Sequence, residues 1–157
     1  MPKILKILTL PKDGNKLRLK SLNVDINDVS TPQFKRLIAD MIRTMQIKDG
    51  IGLAAPQIGQ QIRLVIINTK EGPLGLVNPE LIKKSIVKEV AEEGCLSVPG
   101  VWGAVKRHKS VVCAYTDLNG EPRKLVGSGL MARAIQHELD HLDGELFIDK
   151  LEPGKKK

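Results

Sequence analysis

Apolar and polar positions change period twice along the chain, and the changes divide it into helical and extended stretches. Phe34, Leu37, Ile38, Met41, Ile42 and Met45 recur at the three- and four-residue spacing of one helix face. Thr31 and Pro32 precede them as cap and first-turn residue, so a helix is predicted from there to about Ile47. A half-buried helix needs such a stripe, which therefore reads as core packing rather than as a binding surface.

Beyond it the period shortens. Ile62 to Ile67 is an apolar run rich in β-branched residues, Leu74 to Val77 is another, and Leu81 to Val90 alternates loosely with charged positions, so all three read as strands. Ser110 to Tyr115 and Arg123 to Val126 flank Asp117-Leu118-Asn119-Gly120, where Asn-Gly favours a hairpin because both residues tolerate positive φ. The helical period returns after Ser128, a candidate cap. Leu130, Met131, Ala134, Ile135 and Leu142 then share a face expected to pack into the core, and Gly144 is a candidate left-handed stop. A helix, a run of strands and a second helix, without strand-helix alternation, predict an α+β fold: antiparallel strands packed around a central helix, with an N-terminal helix. The expected organisation is a single domain over residues 1–157, with a basic tail at about 153–157 and no repeat or linker.

Composition narrows the function classes. At 41% hydrophobic and 27% charged residues the chain is ordinary for a soluble globular domain. One Trp, one Tyr and two Phe leave no stacking platform for single-stranded nucleic acid, so a sequence-specific nucleic-acid reader is not expected. The formal charge of +7, concentrated partly in Lys155 to Lys157, reads mainly as a solvated tail, with contact to an anionic surface as the functional alternative. No stretch approaches membrane-spanning length and the opening residues lack a small-residue cleavage site, so the expectation is a cytoplasmic protein with no membrane association. Its two cysteines are then thiols or metal ligands rather than a disulfide.

The chemistry concentrates on the second helix. In His137-Glu138-Leu139-Asp140-His141, a spacing of four residues brings both imidazoles to one face, and Glu138 sits beside them within reach of a metal-activated water. A catalytic metal usually takes three protein ligands and leaves one position open. Asp143, Glu145, Asp149 and Glu152 lie too close to the helix end to fold back easily. Upstream, Cys95, His108 and Cys113 are candidates. Cys95 stands out because Glu93-Gly94-Cys95-Leu96-Ser97 places a thiol beside a flexible glycine in a loop. Cys113 lies in an apolar strand pattern and reads as a buried hydrophobe. His108, among Lys106, Arg107 and Lys109, reads as a solvated surface residue. Gly50-Ile51-Gly52-Leu53-Ala54-Ala55-Pro56-Gln57 is rich in small residues that let a ligand approach the backbone, and it fits neither a phosphate loop nor a dinucleotide fingerprint.

Taken in order, Gly50 to Gln57, Glu93 to Ser97, and Gln136-His137-Glu138-Leu139-Asp140-His141-Leu142 resemble the three signature motifs of peptide deformylases. The resemblance runs from the first helix to about Leu151. It implies removal of the N-formyl group from formyl-methionine at the start of nascent polypeptides, with release of formate and a metal-activated water as nucleophile. It implies Cys95, His137 and His141 as ligands of one divalent ion, ferrous iron in the family, although a thiolate with two imidazoles also suits zinc, nickel or cobalt. By the same carry-over Glu138 is the general acid and base, Gln57 and the backbone N–H of Leu96 meet the oxyanion, and Ile51, Gly52 and Ala134 line the substrate path. Glu93 is expected to pair with Arg107 and hold the Cys95 loop. The implied partners are N-formylmethionyl nascent peptides, with ribosome contact through the basic surface as a further expectation.

Two other readings remain. A metallopeptidase with this helix motif would cleave internal peptide bonds, and the thiolate ligand argues against it. A non-catalytic, translation-associated protein with a structural metal would close the site with a fourth ligand, for which no good candidate stands in the sequence.

Overall fold

A computed structural model describes residues 1–153, so the basic tail expected at about 153–157 lies, from residue 154 on, outside the described residues. The elements are α1 (Gly14–Leu17), α2 (Pro32–Ile47), β1 (Gly52–Ala54), β2 (Leu64–Thr69), β3 (Gly72–Lys84), β4 (Lys88–Cys95), β5 (Val98–His108), β6 (Ser110–Thr116), β7 (Pro122–Ser128) and α3 (Leu130–Leu142). Short 3-10 turns follow β1 and α3, at Ala55–Ile58 and Phe147–Lys150, and another, Ile26–Asp28, precedes α2. Five strands form one antiparallel sheet in the order β1-β2-β3-β6-β7, and β4 pairs with β5 in a separate hairpin. The architecture is the expected α+β arrangement, with α3 placed between sheet and hairpin.

Helix α2 begins as its sequence dictates: the Thr31 hydroxyl accepts the Phe34 N–H at 3.2 Å, and Pro32 occupies the first turn. Its Phe34, Ile38, Met41 and Met45 pack on one face of the sheet with Leu64, Ile66 and Val77. Ala132, Ile135, Leu139 and Leu142 of α3 cover the other face, against Val65, Ile67, Leu76 and Val111. Strand β2 is thus buried on both sides, which explains an unbroken apolar run in an antiparallel sheet.

Two local expectations are corrected. Leu81 to Val90 is not one strand: β3 ends at Lys84 and β4 begins at Lys88 in the other sheet. Ser85 pins the corner, its hydroxyl accepting the Ser110 N–H at 3.1 Å and donating to the Val87 carbonyl at 2.7 Å. The loose alternation runs through the corner unmarked because each strand has its own solvent face. The antiparallel β6-β7 pair expected around Asn119-Gly120 does form, joined by a loop over residues 117–121 in which Gly120 has positive φ (83°). Asp117 organises it by accepting the N–H groups of Asn119 and Glu121, each at 2.9 Å. Ser128 is the last residue of β7 and does not cap α3; Gly129, at φ 59°, precedes the helix, and Leu130 is 65% exposed rather than in the core.

Gly144 does stop α3 in the left-handed region, at φ 75°. A side chain there would also run into the backbone carbonyl of Arg18. Gly144→Ala is therefore expected to lose about 2 kcal/mol or more, from the strained φ and the displaced α1 segment. Urea denaturation checks this, and an unchanged midpoint would exclude it. Among the described residues no helix is long and apolar enough to cross a membrane.

Candidate metal centre and active site

Helix α3 supplies two imidazoles one turn apart, with His137 and His141 ring centroids 5.1 Å from each other. The β4-β5 hairpin brings the thiol. Its ladder pairs Glu93 with Gly103 and then skips to Cys95 with Val98, and this irregularity turns Cys95 toward the helix. Cys95 is thus the last residue of a strand and not part of a loose loop, as the glycine beside it had suggested. Its Sγ lies 3.4 Å from His141 Nε2, and the ligand atoms of Cys95, His137 and His141 all fall within 4.8 Å of one another. The sulfur accepts the Ser97 N–H at 3.4 Å and the Gln57 Nε2 amide at 3.6 Å.

The other candidate ligands are elsewhere. Cys113 is buried in β6, where burial pushes its thiol up to about 11. His108 is half-buried rather than solvated: Nδ1 lies 2.8 Å from the Ser85 carbonyl, and the His108 backbone exchanges two hydrogen bonds with the Gln136 amide. Of its basic neighbours, Lys106 and Lys109 are exposed while Arg107 is buried, a difference the basic run in the sequence does not display. Downstream, Asp143 pairs with Arg63, Asp149 with Arg18, Glu145 with Lys150 and Glu152 with Lys106.

Behind the candidate ligands Cys95, His137 and His141 lies a buried ionic cluster centred on Glu93. Its two oxygens accept Arg107 Nε and Nη2, each at 2.9 Å, which is the pairing expected from the sequence. The same carboxylate takes His137 Nδ1 at 2.9 Å and Arg133 Nη1 at 2.6 Å. Burial by itself would raise the Glu93 pKa, but hydrogen bonds and charge from Arg107 and His137 outweigh it and hold the carboxyl well below the usual carboxylate range. Arg107 extends the cluster to Asp140 at 2.5 Å, and Asp140 to Lys150 at 3.0 Å. Arg133 was not anticipated. Its position four residues before His137 was the available signal, a charged group on the same helix face.

Glu138 differs from these paired groups. It is 5% exposed, and its Oε1 is buried without a hydrogen-bond partner among the described residues. Burial pushes its carboxyl up to about 7, against the opposing charge of His137. The side chain lies against the backbone of Gly52 in β1: a Cβ built on Gly52 would come within 2.8 Å of the Glu138 Cγ. Gly52→Ala is accordingly expected to displace the carboxylate and cut kcat about tenfold or more, with the fold retained. Steady-state kinetics beside a melting curve measures this; full activity would show that Gly52 does not set the Glu138 position.

A cavity of about 200 Å³ opens beside Cys95 and His137. Ile51, Gly52, Gln57, Leu96 and Ala134 all line it, together with Cys95, His137 and Glu138. Gln57 is held by the Ala54 N–H, which donates to its Oε1 at 3.0 Å and so leaves Nε2 facing Cys95 and Ser97. Trp102, Leu130 and Glu92 also border the cavity and were not anticipated. A lone Trp among glycines in β5 was the signal for the first; strand pairing supplied what was missing.

The donor set fits a divalent cation. Glu93 engages His137 Nδ1, leaving Nε2 as the free donor, the usual carboxylate support for a ligating imidazole. Burial disfavours the charged form of His137, yet its interactions with Cys95 and Glu93 lift it to about 10, so this ring would have to release a proton to ligate a cation. His141 is held well below its ordinary value by burial and by the charges of His137 and Arg107, which keeps its ring in the neutral form that ligation requires. Cys95, His137 and His141 are thus the residues that could hold such an ion.

Comparison with known proteins agrees with this geometry. The family model for polypeptide deformylase matches residues 4–157. Peptide deformylase 2 of Xanthomonas campestris pv. campestris is 42% identical over 156 residues, 98% of this chain and 90% of the relative. A Synechococcus elongatus peptide deformylase solved in complex with actinonin aligns with a TM-score of 0.87 at 42% identity, covering 96% of this chain and 80% of that one. A class I type b peptide deformylase from Acinetobacter baumannii, solved bound to Met-Ala-Ser, aligns at 0.89 and 33% identity, covering 96% and 100%. The chain therefore belongs to the polypeptide deformylase family, metal-dependent hydrolases that remove the N-formyl group from nascent polypeptides.

Proposed function

We propose that Cys95, His137 and His141 hold one divalent cation, ferrous iron by family resemblance, and that Glu138 is the acid and base that removes formyl from formyl-methionine. The observation that carries this is the unpartnered carboxylate of Glu138, buried beside three converging donor atoms at the floor of a cavity. When bound, the cation lowers the pKa of water and polarises the formyl carbonyl. Glu138, its carboxyl near 7, accepts the water proton and returns it to the leaving amine nitrogen. Gln57 Nε2, oriented by the Ala54 N–H, and the backbone N–H of Leu96 donate to the developing oxyanion. Ile51, Gly52 and Ala134 border the path of the methionine. The Met-Ala-Ser and actinonin carried by the two solved relatives support a peptide in the corresponding cavity here.

In this reading residues 1–157 form one catalytic domain that acts in the cytoplasm, where nascent chains emerge. The net charge of +7 favours contact with the ribosome surface. The test is formate release from formyl-Met-Ala-Ser by protein stripped with a chelator and then reloaded anaerobically with ferrous, zinc, nickel or cobalt ion. Stripped protein is expected to be silent, and ferrous protein to be the most active. Failure of every cation to restore turnover would overturn the reading.

A further inference from the structure

The cavity mouth carries an arrangement that the hydrolysis itself does not use. Trp102, the single tryptophan of the chain, is 62% exposed. Beside it at the same mouth stand Leu130, 65% exposed, and Ile51, 45% exposed. Three large apolar groups left in water around one opening mark a surface that something covers.

The indole packs against the hairpin backbone. Trp102 lies across the hairpin from Gly94, and a Cβ built on Gly94 would come within 2.5 Å of the Trp102 ring. The glycine between Glu93 and Cys95 thus leaves room for one face of the indole to rest on backbone, while the rest borders the cavity. On the same outer face of the hairpin, two residues before Gly94 along β4, stands Glu92. Its direct ladder partner is Ala104, which makes Trp102 its diagonal neighbour. Glu92 is exposed and borders the cavity, and it takes part in no salt bridge among those formed by the described residues. An aromatic face beside an unneutralised carboxylate is a recognition surface for a side chain with an apolar stem and a positive head.

We infer that Trp102 and Glu92 form a subsite for the residue that follows the formyl-methionine, and that this subsite favours lysine or arginine there over acidic residues. The inference rests on the deformylase reading above, in which the methionine side chain occupies the cavity and the chain leaves over its rim. Trp102 is a specificity residue in this arrangement, in contact with substrate but not with the reacting atoms. It acts through binding, so its effect falls mainly on KM.

Formyl-Met-X-Ser peptides with X as Lys, Leu, Ala or Glu test this on the ferrous protein. The expected order of kcat/KM is Lys, Leu, Ala, Glu, with Lys about fivefold above Ala. Trp102→Ala should remove the advantage of both Lys and Leu over Ala, and Trp102→Phe should keep most of it. Glu92→Gln should narrow the difference between Lys and Glu while leaving Leu over Ala unchanged. Because Trp102 is the sole tryptophan, titration with the product Met-Lys-Ser should shift its emission, and Met-Glu-Ser should do so more weakly. Equal ratios in the parent and in Trp102→Ala would overturn the inference. Absence of turnover on every peptide would overturn the deformylase reading, and the two fluorescence titrations would then decide the subsite by themselves: equal responses would reject it.

Discussion

Replacing Glu138 with alanine is expected to lower kcat about a thousandfold while the protein keeps its bound cation and melts no lower than the parent. The two halves come from one observation. Glu138 is buried with Oε1 unpartnered, so it costs the fold stability instead of supplying it, and its removal relieves a desolvated carboxyl. It lies adjacent to His137 on α3 but is not among the three converging donors, so the cation stays. What disappears is the group that moves the proton, whose share of such reactions reaches a thousandfold or more. Kinetics, metal content and a melting curve on the same preparation separate these effects. A variant that kept a tenth of the parent kcat would show that the proton goes elsewhere.

Glu93→Ala is expected to have the opposite signature, with the largest loss of stability of any substitution considered. The carboxylate neutralises Arg107 and Arg133 and receives His137 Nδ1, all three at hydrogen-bond distance in a buried cluster. Its removal strands two guanidinium groups away from water, and breaking a buried pair from one side costs about 3–5 kcal/mol. Arg107 retains Asp140, and Arg133 retains the carbonyls of Val105 and Glu89, which places the expected loss toward the lower end of that range. The free His137 ring should also weaken cation affinity about 10- to 100-fold. Denaturation and competitive chelation measure the two. Parent-like values in both would mean that the cluster is incidental to the site.

The contrast between these two glutamates also shows what was legible in the sequence. The spacing of His137, Glu138 and His141 requires only a helix to bring them together, and a helix is the element whose period a sequence displays most clearly. Helix α2 was legible for the same reason, cap included, because Thr31, Pro32 and the apolar stripe are local features. The hairpin was not. Strand β4 exposes most of its residues, and what binds it to the rest is the Glu93 cluster together with Val98 and Val105 packed on Leu146 and Phe147, contacts made by residues distant in the chain. Without the hairpin, Cys95 could be selected only by its neighbouring glycine and by the family resemblance, and Trp102 had no partner to give it meaning. The Glu93-Arg107 pair was visible as a hypothesis, but its extension to His137 and Arg133 depended on how α3 docks, which no local pattern encodes. Leu130 misled for a related reason: the helical period assigns it to the apolar face, whereas the first turn of α3 overhangs the cavity mouth, where that face meets solvent.

The most direct test of the central claim identifies the products. Ferrous protein, prepared anaerobically and confirmed to hold one cation per chain, would be mixed with formyl-Met-Ala-Ser, and the products assigned by mass with formate quantified in parallel. Formate and Met-Ala-Ser appearing in equal amounts is the expected result, and it would fix both the bond cleaved and the group released. Ala-Ser or free serine would reveal cleavage of an internal peptide bond, and an intact peptide beside a fully loaded centre would reveal a site that holds metal without hydrolysing; either would contradict the account.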